Sequence, residues 1–178
     1  PERILNLTID NFDGGRQVGC HLRDLGHETA LCISDNTVCM DMERYRGFCA
    51  GFAPGKAELL VIPMQKEQRL AFYQEQLERF RQVSAVFAVS DYYAIELMHV
   101  VKEQGLSVPG ALSIAGFDDT PVCELVDPAL TTVRQDGALR AKITLEKLRE
   151  LREGKPIHTE LRLPVSLVVR KSTGRRKP

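Results

Sequence analysis

Neither sign of charge is in excess in this chain. Lys and Arg number 24 of the 178 residues, as do Asp and Glu. A chain built mainly to coat nucleic acid or an anionic membrane carries a large positive surplus, so that class is excluded. Apolar runs are all short, none near membrane-spanning length, and no signal peptide is expected. The cysteines, Cys20, Cys32, Cys39, Cys49 and Cys123, are odd in number and lack metal-site or redox spacing. Reduced thiols in a cytoplasmic protein are the expectation. GxSxG, HExxH and CxxC are all missing. So are internal repeats and low-complexity segments. The chain begins at Pro1 with a strand candidate almost at once, and is expected to be a piece of something longer.

What is present is enough for one sizeable domain or two small lobes, 43% hydrophobic and 27% charged, the balance of a globular protein. Strand and helix patterns alternate. Strands are predicted at 4–9, 29–33, 58–62, 86–89, 112–117 and 131–134, and at 160–163 and 165–169 split by Pro164. Helices are predicted at 16–25, with Asn11–Gly15 as a break before it, at 41–52, over a long stretch through Leu70, Tyr73, Leu77 and Phe80, at 91–104, and from a cap at Asp136 to about Arg152. Gly26 is placed to end the first helix in a left-handed turn. The run 86–89 is apolar throughout, as in a strand covered on both faces. Together these predict an α/β fold, a doubly wound parallel sheet with helices on both faces. The basic tail "RKSTGRRKP" reads as a frayed terminus.

Ligands of such sheets bind beyond the carboxyl ends of the strands. Phe117-Asp118-Asp119 and Val89-Ser90-Asp91 both lie there. Asp118 and Asp119 are candidate acid-base groups or metal ligands, but no third acidic residue stands at another strand end to complete a metal site. Ser90 has no partner base, and its simplest role is to cap the following helix. "GFAPGK" at Gly51 is one residue short of a phosphate loop and reads as an ordinary turn. His27, just past a helix end, is expected where a partial positive charge is favourable. Arg44, in "ERYRGF", is either solvated or faces Asp118 across a cleft. In the second case the guanidinium fork and the carboxylate match a polyhydroxy or heterocyclic ligand without reacting with it.

The ordered set "TIDNFDGGRQVGCHLRDLGHETALCI", "ERYRGF", "VFAVSDYYAIELMHVVKEQGLSVPGALSIAGFDD", "DPALTTVRQD" and "LPVSLVVRKSTG" resembles the LacI/GalR family of bacterial transcriptional repressors over nearly the whole chain. The resemblance implies a periplasmic-binding-protein-like type I lobe with part of the second lobe missing, and no DNA-binding headpiece. Residues 1–134 would form the carboxyl-side lobe. Residues 135–163 would be a crossover helix and strand normally packed on the amino-side lobe, and 164–178 a return strand and basic tail. It implies an effector site at Arg44, Ser90 and Asp118, a small-molecule effector of carbohydrate type, and a homodimer interface including Ala94, Met98 and Val122. Operator DNA would be bound only through the headpiece. No cofactor, metal, catalytic step or membrane contact is implied. The helix after Asp136 carries an apolar stripe, Ala138, Ala141, Leu145, Leu148 and Leu151. Three outcomes are expected for it: displacement onto its own lobe, cover from a neighbouring chain, or poor order. The competing reading is a doubly wound enzyme using Asp118 and Asp119.

Overall fold

The computed structural model describes residues 6–155 and 160–176. The strands are β1 (Asn6–Ile9), β2 (Thr29–Ser34), β3 (Lys56–Val61), β4 (Ala85–Ala88), β5 (Ser113–Asp118), β6 (Thr131–Gln135), β7 (Glu160–Leu163) and β8 (Val165–Val168). The helices are α1 (Asn11–Asp24), α2 (Cys39–Phe52), α3 (Lys66–Glu75), α4 (Leu77–Arg81), α5 (Asp91–Glu103) and α6 (Gly137–Arg152), with a 3-10 turn at Pro121–Glu124.

Six strands form one sheet in the order β3-β2-β4-β5-β6-β8, parallel except for β8, which runs antiparallel to β6. Alternate residues of each strand feed two cores. Leu31, Ile33, Val86 and Ile114 face α3 and α5, and Cys32, Phe87, Ala115 and Phe117 face α1 and α2. This is the predicted doubly wound α/β fold. The first strand departs from the expected division at 134, because β1 pairs in parallel with β7 in a separate two-stranded sheet. That pair is too small to enclose a core. Ile9 and Leu163 instead pack into the second core, with Leu7 and Ile143 against it.

Asn11–Gly15 is helix, not a break. Gly15 of this segment and Gly51 of α2 sit where the two helices touch backbone to backbone. A Cβ on Gly15 would lie 2.0 Å from the Arg44 carbonyl oxygen, and one on Gly51 2.2 Å from that of Arg16. Close approach, not turning, is their use. The long helix expected through Phe80 is interrupted at Gln76, between α3 and α4.

Two of the three expected interface residues face inward. Ala94 and Met98 are buried in the chain's own core, at 0% and 3% exposure. Both belong to the core that α5 forms with α3 and the sheet. Val122 stays half-buried, and the apolar surface left open nearby is Tyr92 and Leu125. Helix α6 is fully formed and capped by the Asp136 side chain, which accepts from the Leu139 N–H at 2.8 Å. None of its residues is buried, and Leu145 and Leu148 are exposed. Only Ile143 of this helix packs against the lobe's core.

Through Arg176 the tail is not frayed, and its last two residues lie outside the described ones. Lys171 and Ser172 both donate backbone N–H to the Ala129 carbonyl, and Ser172 is fully buried. His27 is buried too, with its ring bonded on both nitrogens, and burial holds its pKa below the ordinary value. It is therefore a neutral group and not a cation at a helix end. Gly26 does take the left-handed conformation, with φ +88°.

Candidate functional site

The parallel strands β2, β3, β4 and β5 end on one edge of the sheet, and the site is built there. Strand β4 leads through Val89 and Ser90 into α5. Strand β5 ends at Asp118, whose φ of 122°, followed by 53° at Asp119, is rare for a residue with a side chain. Backbone held in this way is characteristic of functional sites.

Arg44 enters from α2 and is 9% exposed. A buried guanidinium must be compensated on all sides. Its Nε donates to Asn11 Oδ1 at 2.8 Å and its Nη1 to the Val89 carbonyl at 2.6 Å. The Phe117 ring lies beneath it, 3.8 Å from centroid to Cζ. Asp118 Oδ1 stands 3.8 Å from Nη1, close enough for attraction and too long for a hydrogen bond. Burial lowers the Arg44 pKa against the pull of Asp118. Burial likewise pushes Asp118 up to about 6, the Arg44 charge opposing it. Gln135 Nε2 donates to the same carboxylate oxygen at 2.6 Å, fixing its orientation. Near neutral pH the site thus presents a mostly ionised carboxylate beside a fixed cation, acceptors and donors together.

Asp119 turns away. It bonds Arg134 at 2.5 Å and Arg170 at 2.7 Å. Burial alone would raise its pKa, but the two guanidinium hydrogen bonds outweigh that and hold it below the usual carboxylate range. The adjacent aspartates therefore do not form one chelate, and no cluster of three His, Cys, Asp or Glu fit to hold a metal occurs among the described residues.

Ser90 precedes α5 but its side chain makes no cap bond. It is half-buried beside the carbonyl that holds Arg44. The fastening role falls to Asp91, fully buried, which accepts from Thr120 N (2.8 Å), Thr120 Oγ1 (3.0 Å) and Thr132 Oγ1 (2.5 Å). It ties the start of α5 to the turn after Asp119. Gly116 makes room for it, since a Cβ there would lie 2.5 Å from Asp91 Oδ1. Beyond Asn11, a cavity of about 540 Å³ opens between the β1/β7 pair and the start of α2, lined by Thr8, Asn11, Val38, Arg46 and Arg162 among others.

Of the three residues expected at this site, Arg44 and Asp118 meet directly and Ser90 lies beside Val89. Asn11, Phe117 and Gln135 were missed. Asn11 was hidden in a presumed break, and Gln135 sits one residue before the recognised cap Asp136.

A family model described as a periplasmic binding protein-like domain matches residues 20–173. The lactose operon repressor of Escherichia coli is 36% identical over 174 residues, 95% of this chain and 48% of the repressor. The chain spans about half the length of the curated relatives it matches. A LacI family transcriptional regulator from Enterococcus faecium, solved with bound ribose, superposes with a TM-score of 0.87 at 28% identity, covering 99% of this chain and 68% of that one. A periplasmic binding protein/LacI transcriptional regulator from Alkaliphilus metalliredigens, complexed with D-xylulofuranose, gives 0.84 at 26%, covering 96% and 66%.

Proposed function

The chain belongs to the periplasmic binding protein-like domains of the LacI/GalR family of transcriptional regulators, and from that premise we propose that it is the ligand-sensing part of such a regulator. It binds a sugar or related small metabolite at Arg44, Ser90 and Asp118, and performs no chemistry on it. The observation that carries this reading is the Arg44–Asp118 pair, held 3.8 Å apart at the strand ends and both partly desolvated. A sugar hydroxyl donates and accepts at once, which matches a carboxylate beside a guanidinium. The sugars in the two solved relatives support the ligand class. No catalytic role follows for the neighbouring carboxylate, because Asp119 is taken up by Arg134 and Arg170.

In the intact regulator this part pairs with a second copy, and effector binding governs how an amino-terminal headpiece meets operator DNA in the cytoplasm. No helix among the described residues is long and apolar enough to cross a membrane. Calorimetry of the intact protein against a panel of monosaccharides and disaccharides tests the assignment. Arg44→Ala and Asp118→Ala should each weaken the sugar that binds by about 2–4 kcal/mol, the cost of stranding a charged partner in a desolvated site. Unchanged affinity in both rejects it.

A further inference from the structure

At the opposite edge of the sheet, where β5 and β6 begin, the carboxyl-terminal segment 171–176 crosses under the lobe. Ser172 is its central anchor. The hydroxyl donates to the Ile114 carbonyl at 2.6 Å and accepts from Thr131 N at 2.8 Å. Further along, Gly174 N donates to Ser113 Oγ and Arg176 N to the Leu25 carbonyl. Two imidazoles from the end of α1 and the turn after it close on consecutive tail residues. His21 Nε2 lies 2.9 Å from Thr173 Oγ1, and His27 Nε2 lies 3.0 Å from the Gly174 carbonyl oxygen.

A carbonyl only accepts, so Nε2 of His27 carries the proton. Its Nδ1, 2.8 Å from Ser84 Oγ, then accepts from the serine in the neutral ring. A second ring proton reverses that bond. It also places a cation in a site 4% exposed, with no carboxylate bonded to the ring. The charged groups around it are Arg176 and Arg175 of the tail, His21 of α1, and Glu28, whose carboxylate is paired with Arg176. For His21 the facing acid is Asp24 on its own helix. A cavity of about 180 Å³ lined by His27, Ser84, Pro109, Arg175 and Arg176 opens beside the ring, a route for protons from solvent.

We propose that segment 171–176 is a strap clasped by neutral His21 and His27, and that protonation of the two imidazoles releases it. Burial lowers the pKa of both rings, in His21 against the pull of Asp24 and in His27 against its bond to Gly174. In the released strap they return toward the ordinary value near 6.5. The clasped state therefore binds fewer protons than the open one. The clasp is at full strength above about pH 6.5 and weakens as pH falls, with up to two protons taken up on release. Because the strap secures the carboxyl end of α1, whose first residue Asn11 holds Arg44, its release reaches the helix that supports the cleft.

Amide hydrogen exchange on the full chain at several pH values between 5 and 8, corrected for intrinsic rates, tests this. Protection of Ser172, Gly174 and Arg176 should fall at least tenfold from pH 7.5 to 5.5, while Val86 and Phe87 in β4 keep theirs. In the double variant His21→Gln, His27→Gln the pH dependence of the tail should vanish. Three results overturn the proposal: constant tail protection in the wild type, the same pH dependence in the double variant, or an equal loss in β4. If the variant does not fold, proton NMR titration of the wild-type imidazoles decides. Midpoints below 6.5 support the clasp, and midpoints at or above 6.5 for both rings overturn it.

Discussion

Asp118 and Asp119 are neighbours in the chain with opposite electrostatic fates. Burial near the strand end pushes Asp118 up to about 6, while Arg134 and Arg170 hold Asp119 below the usual range. One carboxylate faces Arg44 at the strand ends, and the other fastens the end of β5 to β6 and to Arg170. The φ values of 122° and 53° are what send the two side chains apart.

Asp118→Asn should stabilise the protein and weaken effector binding together. The raised folded pKa means that native Asp118 favours its protonated form. Its contribution to stability is fully present below about pH 3.8 and is lost as pH rises through about 6. At pH 7.5 the neutral amide should therefore add on the order of 2 kcal/mol in urea unfolding, and nothing near pH 4. Effector affinity should drop at least tenfold. A less stable variant at pH 7.5 would contradict the burial argument.

Asp119→Ala should do the reverse. It strands Arg170, whose side chain is 11% exposed, and should cost about 2–3 kcal/mol of stability at pH 7. The folded pKa is depressed, so the contribution is present above the unfolded value and fades as pH falls through the folded one. Effector affinity, measured at a temperature where the variant is folded, should stay within about twofold, since Asp119 is taken up by Arg134 and Arg170. A tenfold loss would place it in the site after all.

Gly15→Ala should be far more damaging than Gly137→Ala, although both lie in helices. The first drives a methyl to 2.0 Å from the Arg44 carbonyl oxygen, so α1 and α2 must separate and Arg44 loses Asn11. Loss of 3 kcal/mol or more is the expectation, of the order of severe overpacking. The second meets nothing within 4 Å and should be neutral or stabilising by up to about 1 kcal/mol. Thermal denaturation by circular dichroism compares them.

Met98→Glu should unfold the protein, not dissociate it, because that side chain lies in the lobe's own core. Tyr92→Glu with Leu125→Glu should leave the fold intact and lower the mass seen by light scattering. Those side chains are exposed at 61% and 83%, and they are open apolar surface on α5 and after the turn that follows β5. Retained dimer mass in the double variant would move the interface elsewhere.

Local pattern was sufficient for much of this molecule. Apolar runs such as 86–89 and the three- and four-residue spacing in α5 report burial directly, because strand and helix periods are properties of the backbone. Short turns between alternating elements then leave few topologies besides a parallel sheet, and ligands of such sheets collect at the strand ends where Val89 and Asp118 lie. Arg44 and Asp118 were legible as a pair only through the ordered set of motifs, since nothing local links residues 74 positions apart.

Tertiary structure decided the rest, for a reason common to each case. "NFDGG" has the composition of a turn, and became the start of α1 because α2 approaches too closely for any side chain at Gly15. Ala94 and Met98 match an interface stripe, and turned inward because α3 and the sheet enclose that face of α5. Asp119 looked like a second site carboxylate, and was taken by arginines 15 and 51 residues away. The tail had the composition of a loose end, and was buried because Ile114, Thr131, His21 and His27 offered partners for it. Periodicity records how a residue sits on its own element. Which distant backbone or side chain stands opposite it is set only when the elements pack.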